Sequence, residues 1–158
     1  MFLKYRVGRV PKKFFSEKYK RLPKNKMLVV RRKLKQDAVK LNESGIKLAD
    51  DAKKLFEGTL DAQAESGPKA VDVRGTKMQH YQLTQRRKTL LEQISEFEKY
   101  ARQYFASFAP FHGHMSRSEN PVEFVTHKTY RLIGEFDSYV KNLGEFLEIV
   151  EVQQRKRH

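Results

Sequence analysis

Lys4, Arg6, Arg9, Lys12, Lys13, Lys18, Lys20, Arg21, Lys24, Lys26, Arg31, Arg32, Lys33 and Lys35 all fall within the first 35 residues, where the only acid is Glu17. Ammonium and guanidinium groups at that density are suited to neutralising a polyanion, because each can replace a counterion condensed on a charged backbone. Phe2, Tyr5, Phe14, Phe15 and Tyr19 are interleaved with them. On RNA such rings stack on unpaired bases while the cations hold phosphates. On a protein the same rings fill apolar pockets, and their spacing does not separate the two. Arg86, Arg87 and Lys88 form a second basic cluster that would extend this footprint. The cluster reads equally as a solvated helix face, since three consecutive residues sweep most of a turn.

Other chemistry has little to work with. His112-Gly113-His114 is the one arrangement resembling a metal site, but zinc takes four ligands, or three and a water. His80 and His127 are remote in sequence, and the chain has no Cys. An ordinary loop is expected there, with no metal and no cofactor. Glu92, Glu96 and Glu98, and again Glu145, Glu148 and Glu151, recur as solvated helix faces do. Asp37 and Asp51 come nearest the apolar stripe, three residues after Leu34 and Leu48, and read as its flanks. No phosphate-cradling glycine loop, nucleophile elbow or HExxH pattern occurs. No catalytic residue and no small-molecule substrate are expected.

The charge is segregated along the chain. Residues 1 to 35 hold 14 Lys and Arg and one acid, while the remaining 123 residues hold 19 basic and 18 acidic side chains. A formal charge of +14 therefore resides almost wholly in one segment. Such a segment resists collapse by self-repulsion and has few apolar groups to offset its backbone entropy. Pro11 and Pro23 interrupt it, each favouring an extended residue before it. The reading is an extended basic arm over residues 1–23, with one short helical turn near Phe14 to Lys20.

The body must then be helical. Apolar residues make up 39% and charged residues 33% of the chain, a ratio met by slender helices that each bury a single stripe. The expected fold is all-α: an elongated antiparallel bundle of three long helices, spanning 24–57, 77–108 and 121–153. In the first, Met27, Leu34, Leu41, Leu48 and Leu55 recur every seventh residue, with Ala38, Gly45 and Ala52 four residues after successive leucines. That is a heptad seam of large and small positions, and the small ones imply a close neighbour. Gly58 is the expected stop. Residues 58–76, with Gly67-Pro68 and Gly75, read as a long loop, uncommon inside compact domains. In the second helix Leu83, Leu90, Phe97 and Tyr104 repeat every seven, joined by Ile94, Ala101 and Phe108. Asn120-Pro121 opens the third as an N-cap followed by proline at the first turn. Its stripe is Val122, Val125, Thr129, Leu132 or Ile133, Phe136, Val140, Leu143, Leu147 and Val150. Gly134 and Gly144 lie off that stripe and suggest close neighbours on a second face. Arg155, Lys156, Arg157 and His158 add a short basic tail.

No stretch has the roughly 18 apolar residues that a membrane span requires. The first 16 residues lack acid and mix cations with Phe and Val, a composition that suits a mitochondrial import signal, although Ser is scarce and Pro11 interrupts an amphipathic helix. The functional expectation is a non-catalytic structural subunit of a ribonucleoprotein, first of all a ribosome, with an organellar one as a variant. RNA and other protein subunits are its partners. The alternatives are an accessory subunit of a mitochondrial inner-membrane complex, its arm on an anionic membrane surface or a neighbour, and a DNA-packaging coat protein.

Overall fold

A computed structural model describes the backbone of residues 24–108 and 121–156 and the burial of side chains within 29–103 and 122–156. The basic arm, the segment carrying His112 and His114, and Arg157 and His158 lie outside the described residues. The fold is all-α. Three helices are present and no strand occurs among the described residues. Helix α1 spans Lys24–Ser66 and α2 spans Val73–Phe108. The third helix begins as α3, Pro121–Phe124, passes through a π-helical turn, Val125–Thr129, and continues as α4, Tyr130–Lys156.

The chain divides into two compact units. In the first, built from described residues 24–42, 91–108 and 121–128, the core is Val30, Leu34, Ala38 and Leu41 of α1, Ile94, Phe97 and Ala101 of α2, and Val125. In the second, from 43–90 and 129–156, it is Leu48, Ala49 and Ala52 of α1, Leu83 and Leu90 of α2, and Ile133, Phe136, Leu143, Leu147 and Val150 of α4. Most of these are stripe positions read from the sequence; Val30 and Ala49 are additions, Leu55, Val122 and Val140 are half-buried, and the side chains of Met27, Tyr104 and Phe108 lie outside the described ones. In the second unit α1 and α4 run parallel, with Phe56 against Tyr139 at 6.4 Å between ring centroids. Helix α2 is antiparallel to both, since Arg86 meets Asp51 of α1 while Arg87 and Lys77 meet Asp137 and Glu151 of α4.

The long loop expected over 58–76 is replaced by helix and a short connection. Gly58 sits in the interior of α1, exposed, with open space where a Cβ would be. A glycine there weakens a helix by roughly 1 kcal/mol but does not end it while burial continues. Burial does continue. Thr59 lies seven residues after Ala52 and is buried, its Oγ1 donating to the Leu55 carbonyl at 2.7 Å. Ala62 lies seven after Leu55 and packs with it on the cluster of Val71, Leu143, Leu147 and Val150.

The true stop is Gly67, whose φ of 82° and ψ of 178° belong to a backbone region open essentially to glycine alone. Its amide donates to the Gln63 carbonyl at 2.8 Å, and Pro68 opens a single 3-10 turn, Pro68–Ala70. Asp72 then caps α2. Its carboxylate accepts the Gly75 amide at 3.0 Å, and its carbonyl accepts the Thr76 amide at 3.0 Å and the Thr76 hydroxyl at 2.7 Å. A Cβ at Gly75 would crowd that carboxylate as it is placed here. From α4, the Gln154 amide nitrogen donates to the carbonyls of Pro68 and Val71 at 2.8 and 3.1 Å. Six residues thus turn the chain with their polar groups tied in place.

The glycines divide by environment. Gly45 is buried, and a Cβ there would lie 3.4 to 3.5 Å from Leu132 and Thr129, so the small position does face a close helix. Gly134 and Gly144, expected to meet neighbours, face open space. They lie off the stripe because nothing packs on that face. The π-helical turn was also absent from the sequence reading. It shifts the register so that Val125, Thr129 and Ile133 are buried at two successive spacings of four, with Leu132 only half-buried.

Three stability outcomes follow from this packing. Ala52 is 1% exposed, so Ala52→Leu overpacks the seam and lowers stability by about 1–3 kcal/mol, read from the thermal midpoint. Gly67→Ala forces a side chain into a glycine-only region and costs about 1–3 kcal/mol by denaturant titration. Gly144→Ala acts in the opposite direction, raising stability by about 0.5–1 kcal/mol in the same titration, since it removes helix-interior backbone entropy without a clash.

Candidate nucleic-acid interface

Of the basic residues singled out in the sequence, Lys4, Arg6, Arg9, Lys12, Lys13, Lys18, Lys20 and Arg21 lie outside the described residues, as do the aromatics Phe2, Tyr5, Phe14, Phe15 and Tyr19. Lys24 and Lys26 are in the first turns of α1. That end of the helix carries no acid in its first turn. Arg31 and Lys35 are four residues apart on the helix, the spacing of a like-charged neighbour pair.

Further along, the cations separate into two groups. Arg31 is half-buried and engaged within the protein, and Lys33 holds Asp37 at 2.8 Å one turn on. Arg32 and Lys35 are exposed and enter no ion pair among the described residues. Lys40, not singled out from the sequence, shares that condition. Its signal was available in its spacing, since eight residues after Arg32 places it about 80° round the helix from that arginine.

The second cluster is arranged differently. Arg86 Nη1 lies 2.8 Å from Asp51 Oδ2 on α1. Arg87 engages Asp137 of α4 with two parallel bonds, Nε to Oδ1 at 2.7 Å and Nη2 to Oδ2 at 3.0 Å, the forked geometry that arginine makes with a carboxylate. Lys88 alone of the three is exposed without an ion pair among the described residues. The fork occupies donors that a phosphate would need. Arg86 and Arg87 thus sit at ties from α2 to its two neighbours within the second unit, and Asp51, read as a flank, is one of the partners.

Most other cations given an ion-pair partner follow the same rule: Lys54 with Asp50 at 3.0 Å, Lys77 with Glu151, and Arg102 with Glu98 at 3.6 Å. The hydrogen bond from Lys77, opposed by partial desolvation, holds the Glu151 carboxyl below its ordinary value of 4.5. The Asp50 carboxylate, first through its hydrogen bond and then through its charge, raises Lys54 above 10.5.

The remaining polar features form no second site. His127 Nε2 lies 2.8 Å from Glu123 Oε2 and Lys128 lies over the Phe124 ring at 5.1 Å. No group of three or more His, Cys, Asp or Glu that could hold a metal occurs among the described residues. In the second unit a cleft of about 570 Å³ lies between α1 and α2 beside their connection. Most of its polar side chains are engaged: Thr59 and Thr76 with helix carbonyls, Asp51 with Arg86, Asp72 with the α2 cap and Lys54 with Asp50, while Gln79 is exposed at its edge. No described helix is long and apolar enough to cross a membrane. The chain matches no family model, no curated protein and no solved structure.

The pairing of Glu151 sets a pH dependence with a definite sign. A carboxyl whose folded pKa is depressed contributes stability that is present above its ordinary value of 4.5 and is lost as pH falls through the folded value. Glu151→Gln therefore flattens the loss of stability in the acid range below that value, measured as thermal midpoint against pH. An acid limb identical to that of the parent would remove the Lys77 tie from the account.

Proposed function

We propose that this protein is a non-catalytic structural subunit of a ribonucleoprotein assembly, with the ribosome as the first candidate and a mitochondrial one as a variant. The basic arm binds RNA phosphates, and the helical body contacts protein subunits. The observation that supports this reading is the division of charge. Thirteen of the fourteen net positive charges lie in the first 35 residues, while the cations of the body are interspersed with nearly equal numbers of acids. Arg86 and Arg87 are spent on Asp51 and Asp137 rather than presented together to a polyanion.

Charge concentrated in this way sets affinity through counterion release. Affinity then falls steeply with salt and depends little on base sequence. A segment punctuated by Pro11 and Pro23 can follow a nucleic-acid groove that a globular face cannot enter, and its aromatics offer stacking surfaces to unpaired bases. The same cations would bind an anionic lipid surface at about 1 kcal/mol each, and the import-like composition of the first 16 residues suits an organellar setting.

Removing residues 1–23 deletes eight cations of the arm and flattens the salt dependence of RNA binding, while the helical circular dichroism signal is retained. Binding of full-length and truncated protein to single-stranded RNA and to anionic vesicles across a salt series is the measurement. Equal RNA binding by the truncated chain overturns the reading. Binding to vesicles and not to RNA replaces it with the inner-membrane alternative. Arg87→Gln, by contrast, leaves the salt slope unchanged and lowers stability by up to about 1 kcal/mol, as expected for a half-exposed pair.

A further inference from the structure

The outer face of α1 in the first unit carries a strip of cations that the ion-pair pattern leaves unspent. Arg32, Lys35 and Lys40 are exposed and enter no ion pair among the described residues, whereas Lys33 beside them is taken up by Asp37. At about 100° per residue the three spread over an arc of about 140° on the solvent-facing half of the helix, and at about 1.5 Å per residue they span roughly 12 Å along its axis. They lie well past the first turns of α1, so their charge is not a property of the helix end. Asp37 is the only acid from Lys24 to Lys40, and Glu43 is the next. Val29 and Val39 share the face but are ten residues apart, which makes them isolated surface side chains rather than an apolar patch.

We propose that the RNA bound by the arm continues onto α1 and runs along this strip as far as Lys40, with Arg32, Lys35 and Lys40 each neutralising a phosphate. This rests on the RNA-binding reading of the arm and adds to it a helical part. The helix holds its cations at set intervals and so fixes where the strand meets the body. Lys33, paired with Asp37, and the half-buried Arg31 take no part.

The test is full-length protein carrying Arg32→Gln, Lys35→Gln and Lys40→Gln together, compared with a control carrying Lys69→Gln, Lys99→Gln and Lys141→Gln. Both remove three positive charges from exposed helix or turn positions without an ion pair among the described residues. The probe is poly(U), with binding followed from low to moderate salt. The strip variant is expected to lose about 2 from the slope of log affinity against log salt, at roughly 0.7 per phosphate contact on a single strand, and the control to keep the parent slope. Equal slopes in the two variants overturn the strip, since net charge alone would then account for binding. A strip variant that keeps the parent slope on poly(U) overturns it too, including where that variant loses binding to polyglutamate, which would mark the face as a contact for acidic protein. Deletion of residues 1–23 separates this inference from the reading beneath it: loss of binding on deletion with an unaffected strip variant rejects the strip alone, and full binding after deletion rejects both.

Discussion

The close approach allowed by small residues on α1 is the constraint on which the bundle depends. A chain with 33% charged residues has few large apolar groups to bury, so each must be used in full contact. Ala38 on α1 serves the first unit in this way, and Gly45 and Ala52 serve the second, where Gly45 meets Leu132 and Thr129 near van der Waals distance. Helices that come this close exclude water from Leu34, Leu48, Phe136 and Leu143, each at most 2% exposed. Dispersion contacts then supplement a modest buried area.

The repeat of seven carried most of the fold, and its failures have identifiable physical causes. Leu34 through Leu55 and Leu83 through Ile94 were legible because a buried seam forces apolar identity at regular spacing. The end of α1 was misplaced because Gly58 was weighed as a stop signal while Thr59 and Ala62, a hydroxyl residue and a methyl group, are weak markers of burial. Each still lies seven residues from a seam position. The N-cap at Asp72 is obscured by Gly75, which reads as a breaker yet lies inside α2 with its amide on the Asp72 carboxylate. Gly134 and Gly144 were assigned neighbours on the argument that helix glycines need a reason, and open space stands in their place. The π-helical turn left only the pair of four-residue spacings through Val125, Thr129 and Ile133, which also explains why Leu132 and Ile133 competed for one position.

In the candidate interface, composition located the charge and structure sorted it. Asp51 and Asp137 could not be matched to Arg86 and Arg87 from spacing, because those ties join residues 35 and 50 positions apart on different helices. Sequence proximity groups Arg86, Arg87 and Lys88 as a patch, and three-dimensional pairing disperses them. On α1 the pairing sorts neighbours in the same way, taking up Lys33 with Asp37 and leaving Arg32, Lys35 and Lys40 exposed without an ion pair among the described residues. A basic cluster is thus better judged by the acids within reach of it than by its own density.

The glutamine tie at the α1–α2 connection has a consequence for the order in which the chain acquires structure. Gln154 is made more than eighty residues after the carbonyls of Pro68 and Val71 that it satisfies. A hairpin of α1 and α2 formed before α4 would hold its turn without those two bonds, relying on the Val71 and Val73 amides that donate to the same carbonyls at 3.2 and 3.1 Å, on Gly67 and on the aspartate cap. At about 5–20 residues per second, that interval lasts roughly 4–16 seconds. An emerging hairpin with a bend not yet tied to α4 is an intermediate that nascent-chain factors can distinguish from the finished molecule. Arrival of α4 converts it into a closed one.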